Sequence, residues 1–201
     1  MKKILVVLII VAGFAASCDV SERDISEPRL PRYSEKGLNT AGCMINDETW
    51  FDPCYFGFIF EQDDCDGLTV AYDTLLNYSE IRFNGGVDIL DYEKRKPMTL
   101  VFKFPFLIQS TMDLNALVGS AHSINGTSVK ADVLVNGESI IDCGEFETTQ
   151  TGRIFFRSNG IANSICAGTF GYSTSSNCGK YDVWYGRFDY AIHPHDFVCL
   201  N

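Results

Sequence analysis

Short runs of alternating apolar and polar residues follow one another along the chain from Gly37 onward. Leu100, Phe102 and Phe104 are spaced two apart, with Lys103 opposite them, which predicts a strand buried on one face. About ten runs of this kind, separated by turn residues, predict an all-β fold. We expect an antiparallel β-sandwich or an open barrel of about ten short strands, with at most one short helix, and of the two architectures we favour the sandwich.

Turn residues predict how these strands are connected. Asn-Asp at 46–47 and Asn-Gly at 136–137 each lie between apolar runs and predict tight hairpin turns. Asn-Gly-Gly at 84–86 is interpreted in the same way, as the turn of a hairpin. The short helix is placed after Ser110, because Ser110 and Asp113 have the spacing of a helix-capping box.

The start of the chain has a different pattern. Lys2 and Lys3 precede an apolar run over 4–12, and small residues then lead directly to Cys18. This order is typical of a secretory signal peptide, and the apolar run is too short to span a membrane. A cysteine after small residues resembles the lipobox of bacterial lipoproteins, in which that cysteine begins the mature chain and carries the acyl groups. We therefore predict a lipoprotein signal peptide over 1–17 and lipid attachment at Cys18.

The rest of the chain divides into a tether and a domain. Residues 19–36 are half charged, lack hydrophobic periodicity and contain Pro28 and Pro31, which predicts a flexible tether over 18–36. A single β domain is expected over 37–201, a length that supports one hydrophobic core. The formal net charge of −10 and the lack of a basic patch exclude nucleic acid as a partner.

Eight cysteines are many for a chain of this length, and export would place them in an oxidising compartment where disulfides persist. With Cys18 assigned to the lipid, an odd number remains, so at least one thiol is unpaired and the connectivity stays open. Cys54 and Cys65, which bracket a short apolar run and an acidic turn, are the disulfide candidate. Zinc is the competing interpretation, but no CxxC or HxxxH spacing supports it.

Two further segments carry metal-binding residue types. His193, His195 and Asp196 could face one ion from an extended segment, but a third imidazole would have to come from His122. The acidic segment 61–67 has a faint EF-hand spacing, yet it lacks the first Asp and the flanking helices. We interpret the former as the end of a strand and the latter as a solvated turn, and we predict no metal site and no cofactor.

Aromatic residues on the last long strand are the candidates for ligand binding. Tyr181 and Tyr185 fall on the face opposite Trp184 and Phe188, so that a strand of period two carries rings on both faces. Exposed rings stack on sugars or anchor protein interfaces. The alternative interpretation is that both faces are partly buried at a corner of the fold.

Two stretches resemble a known family. GLNTAGCMINDETW at 37–50 is similar to its opening strand–turn–strand, and AGTFGYSTSSNCGKYDVWYGRFDY at 167–190 is similar to its closing hairpin. The family is that of Bacteroidetes outer-membrane lipoproteins with a domain of unknown function. The resemblance implies an all-β domain anchored to the outer membrane and brings no catalytic residue. Asp73-Thr74-Leu75 also resembles the O-glycosylation signal of exported Bacteroidetes proteins, with Thr74 as the acceptor.

Two hypotheses about function follow. The first is a non-enzymatic, lipid-anchored binding or structural module of the cell envelope, on the periplasmic or surface face of the outer membrane. Its partners would be the membrane, through the lipid, and a glycan or an envelope protein. The alternative is a hydrolase of envelope or dietary polysaccharides that uses dispersed carboxylates. We favour the first, because the sequence contains no nucleophile motif and no phosphate-binding loop.

Overall fold

The structure, a computed structural model, describes residues 30–31, 33–52, 67–87, 96–139, 149–157, 165–176 and 179–201. The predicted signal peptide over 1–17, the lipid-attachment residue Cys18 and the disulfide candidates Cys54 and Cys65 lie outside the described residues. Within the described ranges the chain forms twelve strands, one short α-helix and one 3₁₀ turn.

The elements are numbered in the order in which they follow one another along the chain. The strands, the helix α1 and the 3₁₀ turn have these bounds: β1 Thr40–Ile45, β2 Glu48–Phe51, β3 Leu68–Asp73, β4 Tyr78–Val87, β5 Lys96–Phe104, α1 Thr111–Ala116, β6 Ala121–Ile124, β7 Lys130–Val135, β8 Glu138–Ser139, β9 Thr149–Arg157, β10 Ile165–Ser176, β11 Gly179–Ala191, the 3₁₀ turn Pro194–Asp196 and β12 Phe197–Cys199.

All twelve strands belong to one sheet. Ten of them follow the order β6-β9-β10-β11-β1-β2-β4-β5-β7-β8, while β3 pairs with β4 and carries β12 beside it. The pairings are antiparallel, except that β12 lies parallel to β3. The sheet curls into an open half-barrel, so the prediction of an all-β antiparallel fold is confirmed. Of the two architectures that were expected, the open barrel forms and the sandwich does not.

Side-chain hydrogen bonds draw the two ends of the curled sheet together. The amide of Gln150 on β9 accepts from the backbone N–H of Ala131 on β7 at 3.0 Å and donates to its carbonyl at 2.7 Å. Ile124 and Val129 form an isolated parallel bridge nearby. Gln150 therefore supplies the donor and acceptor that a neighbouring strand would supply in a closed barrel, and it satisfies backbone groups that would be costly to bury unpaired.

The hairpin turns and the helix cap form where local chemistry predicts them. Asn46 has a φ of 52°, and Asn136 and Gly137 have φ values of 54° and 85°, as tight hairpin turns require. The side chain of Ser110 accepts a hydrogen bond from the backbone N–H of Asp113 and begins α1. The predictions of both hairpins and of one short helix are confirmed.

Aromatic rings fill the interior of the half-barrel. The ring of Phe83 on β4 lies at its centre, with centroid distances between 5.0 and 5.9 Å to the rings of Phe102, Phe170, Phe188 and Tyr190. All five side chains are buried. Rings at such separations pack favourably beyond the burial of their surface, so this cluster ties β4 and β5 to β10 and β11 across the interior.

Two large rings fit into the curled sheet because each lies over a glycine on the neighbouring strand. A side chain at Gly186 would collide with the ring of Phe170, and a side chain at Gly168 would collide with the ring of Phe188 and the carbonyl of Phe155. A packed interior has no room for extra methyl groups unless its side chains shift. The alternation of rings and glycines between strands is therefore a packing requirement.

The predicted hairpin turn at 84–86 is wrong. β4 runs without interruption through these residues, which pair with β5 from Asn84 opposite Thr99 to Gly86 opposite Pro97. Gly85 is needed for space, because a side chain there would collide with the ring of Trp50. The indole N–H of that buried tryptophan donates to the carbonyl of Met98 at 2.9 Å. The glycine pair thus admits a large side chain and does not reverse the chain.

Part of the predicted tether packs against the domain. Leu30 is 1 % exposed, and Pro31 lies so close to β1 that a side chain at Gly42 would collide with it. The carboxylate of Asp189 on β11 accepts hydrogen bonds from the backbone N–H groups of residues 36, 37 and 38, at 3.1, 2.7 and 3.3 Å. The packed part of the chain therefore begins at least at Leu30, earlier than the expected boundary at Gly37.

Replacing Gly186 with Ala should lower the free energy of unfolding by about 1–3 kcal/mol, because the added methyl group enters the space of the Phe170 ring. Gly171→Ala is the matched control on the adjacent strand, since its nearest neighbour is the Val183 carbonyl at 3.4 Å. Urea denaturation of both variants measures the difference. An equal loss in the two would contradict the packing requirement.

Replacing Asp189 with Ala should release residues 34–38, because it removes the acceptor of three backbone N–H groups. We expect hydrogen exchange of the peptide covering residues 36–38 to accelerate, with a loss of about 1–3 kcal/mol of unfolding free energy. Asp47→Ala removes the same charge from an exposed turn and serves as the control. Unchanged exchange in the Asp189 variant would show that other contacts hold the segment.

Candidate ligand-binding site

A β-bulge in β11 shapes an open groove on the surface of the described chain. Phe170 on β10 pairs with Gly186, whereas Tyr172 pairs with Val183. Two residues of β11, Trp184 and Tyr185, therefore lie opposite a single residue of β10, Gly171. The pairing of β1 with β11 shifts at the same place. A bulge of this kind bends the strand and redirects its side chains.

Tyr185 adopts a backbone conformation that is unusual for its residue type. Its φ is 55°, in the left-handed region that a residue with a bulky side chain occupies at a cost of about 1–3 kcal/mol. The other non-glycine residues with positive φ among the described ranges are asparagines, which tolerate this conformation. The surrounding pairings of β11 with β1 and β10 hold the tyrosine in place.

The bulge brings two rings to the outer surface side by side. Trp184 is 47 % exposed and Tyr185 is 55 % exposed. On one side of the bulge Val183 points into the core, and on the other side Phe188 and Tyr190 do. A strand of strict period two cannot place Val183 and Phe188 on the same face, because they are separated by an odd number of positions. The extra residue in the bulge makes this possible.

The bulge also changes the positions expected for the tyrosines. Tyr185 is exposed, as expected for a ligand-facing residue. Tyr181 shares the face of Val183, is half-buried and packs against the core, so it does not join Tyr185 on the outer surface. The interpretation that Trp184 shares a face with Phe188 is wrong, because the bulge lies between them. Trp184 is therefore a surface ring that the period of two did not predict.

An open groove of about 470 Å³ lies beside the two rings. Its polar side chains come from Thr151 on β9, Ser173 on β10 and Asp182 on β11. Aromatic walls combined with a few fixed polar groups are typical of small-molecule and carbohydrate sites. The groove therefore offers ring faces together with hydrogen-bonding groups on adjacent strands.

The carboxylate of the groove is ionised and partnered. Two hydrogen bonds lower the pKa of Asp182. The ammonium of Lys180 lies 2.8 Å from Asp182 Oδ2, and the hydroxyl of Ser173 donates to Asp182 Oδ1. Its backbone N–H donates to the side chain of Asn46 at 3.0 Å. Asp182 can accept hydrogen bonds from a ligand, but it is not an acid with the raised pKa that proton donation in glycoside hydrolysis uses.

Two buried carboxylates of the described chain serve the fold. Asp52 is fully buried and accepts a hydrogen bond from the hydroxyl of Tyr190. Burial and the nearby Asp52 carboxylate raise the pKa of that tyrosine well above its usual value. Asp189 holds residues 36–38 through their N–H groups, as described above. Neither carboxylate lines the groove.

The three histidines do not form one cluster, because His122 lies apart from the other two. His193 and His195 stack on each other at a centroid distance of 5.2 Å near the 3₁₀ turn. His122 packs instead against Phe104 and Phe156, and burial lowers its pKa. Among the described residues no three His, Cys, Asp or Glu side chains are grouped so that they could hold a metal ion.

The described cysteines are free thiols. Cys43 and Cys166 are buried and Cys199 is exposed, and burial raises the pKa of Cys166 to about 12. Thr74, the candidate for O-glycosylation, lies in the exposed turn after β3, where its hydroxyl donates to Asn201 Oδ1 at 3.3 Å. The turn is therefore accessible, and glycosylation at Thr74 stays a prediction.

Comparison of this chain with protein-family models, curated proteins and solved structures finds no significant match. Among the described residues, none of the helices is long and apolar enough to cross a membrane.

Replacing Tyr185 with Gly should raise the free energy of unfolding by about 1 kcal/mol, because glycine adopts a φ of 55° without steric cost. Trp184→Ala is the control: Trp184 is an equally exposed neighbour without a positive φ, so no gain is expected. Denaturant unfolding measures both. A loss of stability in the Tyr185 variant would show that its ring supports the fold, and would remove the case for a functional role of the strain.

Proposed function

We propose that this protein is a lipid-anchored binding module of the cell envelope, and that the groove beside Trp184 and Tyr185 binds a glycan. The observation that carries the proposal is the strained Tyr185, whose ring is more than half exposed while its backbone is left-handed. Conformational strain persists where surrounding structure maintains it, and it concentrates at functional sites. Packing in the core requires the bulge, but it does not require a tyrosine at this exposed position, where glycine or asparagine would adopt the same φ at lower cost.

The chemistry of the groove supports a sugar ligand. Ring faces stack on the apolar faces of sugars, and two adjacent exposed rings offer such a platform. Thr151 and Ser173 supply hydroxyls, and Asp182 supplies an ionised acceptor next to the Lys180 ammonium, which are the groups that hydrogen-bond sugar hydroxyls. Because Lys180 offsets the charge of Asp182, the groove suits a neutral glycan.

Binding is favoured over hydrolysis by the carboxylates of the groove. Glycoside hydrolysis uses a pair of carboxyl groups, one of them protonated at working pH. The described residues that line the groove include one carboxyl group, that of Asp182, and its pKa is lowered. A protein partner is the other ligand class, and it would use the same two rings as anchors.

The envelope location rests on residues 1–18 of the sequence. Export and acylation at Cys18 would leave the domain outside the cytoplasm, and packing of residues 30–38 against β1 and β11 would shorten the free tether. The groove would then face ligands close to the membrane that carries the anchor.

Trp184→Ala should weaken glycan binding at least tenfold, because it removes half of the aromatic platform; tenfold corresponds to about 1.4 kcal/mol. The measurement is binding of the full chain, held in detergent, to an array of bacterial and dietary glycans, followed by titration of the best ligand. Met112→Ala is the matched control, since Met112 is 80 % exposed on α1.

Glycan binding that survives in Trp184→Ala at wild-type affinity would contradict the assignment of this groove. If no glycan binds and an envelope protein is captured only when Trp184 is present, the ligand of the groove is a protein and not a glycan. Hydrolysis of a bound glycan would favour the alternative function.

A further inference from the structure

The most exposed aliphatic side chains of the described chain occupy one turn. Leu75 is 83 % exposed and Leu76 is 71 % exposed, in the connection between β3 and β4. Val198 and Leu200, at 43 % and 42 % exposure, lie on the chain next to β3. We call Leu75, Leu76, Val198 and Leu200 the leucine turn. Two adjacent leucines at the tip of a hairpin are costly to leave in water without a purpose.

Polar groups around the leucine turn are hydrogen-bonded to one another. Asp73 Oδ1 accepts from the backbone N–H groups of Leu75 and Leu76, both at 2.9 Å. The same oxygen accepts from Asn201 Nδ2 at 3.1 Å, and that nitrogen also donates to Thr74 Oγ1. The turn is therefore held in one conformation, with its two leucine N–H groups satisfied. Satisfied backbone groups are the condition for entering a lipid environment.

The size of the leucine turn decides which partner it fits. A specific protein interface uses roughly 20–30 residues from each side, whereas this patch has four aliphatic side chains at a projecting turn. Insertion of a few apolar side chains into a bilayer interface needs no complementary surface. Membrane lipid is therefore the occupant that a patch of four aliphatic side chains suits.

We infer that the leucine turn inserts into the surface of a lipid bilayer and serves as a second contact beside the lipid anchor. The inference rests on the proposed anchor at Cys18, because one acyl-type attachment and one shallow apolar contact reinforce each other on the same membrane. The formal net charge of −10 disfavours anionic headgroups, so the expected surface is zwitterionic. The domain would then have a fixed orientation on the membrane instead of a free one.

The inference can be tested with a fluorescent reporter in the turn. Leu75→Trp in the full chain is bound to phosphatidylcholine vesicles that contain brominated acyl chains, which quench tryptophan at contact. Met112→Trp is the matched control, because Met112 has nearly the same exposure on α1, outside the leucine turn. We expect at least twofold stronger quenching of the added tryptophan at position 75 than at position 112.

The possible results separate the inference from the proposed anchor. If both variants float with the vesicles and their added tryptophans are quenched equally and weakly, the turn does not insert, while the proposed lipid anchor is still supported. Failure of both variants to float with vesicles would overturn the anchor and the insertion together. An added sugar mass on the peptide that contains Thr74 would also overturn insertion, because it would place a hydrophilic group beside Leu75.

Discussion

The packing of aromatic rings inside a curled sheet is the constraint on which the rest of this structure depends. Phe83 contacts the rings of four strand residues at once, so the strands that carry them cannot move independently. Such large side chains fill a half-barrel only if the strands beside them leave space. Gly168 and Gly186 provide it, and rings over glycines also compensate for the weak intrinsic strand preference of glycine.

The same packing explains why the candidate site forms where it does. Phe170 and Tyr172 on β10 both point into the core, as do Val183 and Phe188 on β11. The first pair is separated by an even number of positions and the second by an odd number. Both sets can be buried only if β11 carries one extra residue, and the bulge at Tyr185 accommodates it. The core thus requires the bulge, and the bulge brings positions 184 and 185 to the surface beside the groove.

Features governed by neighbouring residues could be predicted from the sequence, and features governed by distant ones could not. The turns at Asn46 and Asn136 and the cap at Ser110 depend on local conformational preference, and all three form as predicted. The glycines at 84–86 were misinterpreted because Gly85 accommodates the ring of Trp50, which belongs to another strand.

Two further differences have the same origin. Ser34 and Lys36 lie in the predicted tether, but the hydroxyl of Ser34 and the backbone N–H of Lys36 donate to the carboxylate of Asp189, which is about 150 positions away in the chain. The face of Trp184 depends on the bulge, and the parity change between Val183 and Phe188 was the one signal in the sequence that could have indicated it.

The bulge and the docked N-terminal segment are joined by a single buried cation. Arg187 is 6 % exposed, and its Nε donates to the carbonyl of Tyr185 while its Nη1 donates to the carbonyl of Pro31, both at 3.2 Å. A buried guanidinium is costly unless its N–H groups keep their acceptors. Displacing residues 30–38 would therefore remove an acceptor that also stabilises the bulge, and relaxing the bulge would weaken the attachment of the segment. The groove and the chain that leads to the proposed anchor are stabilised by the same interaction.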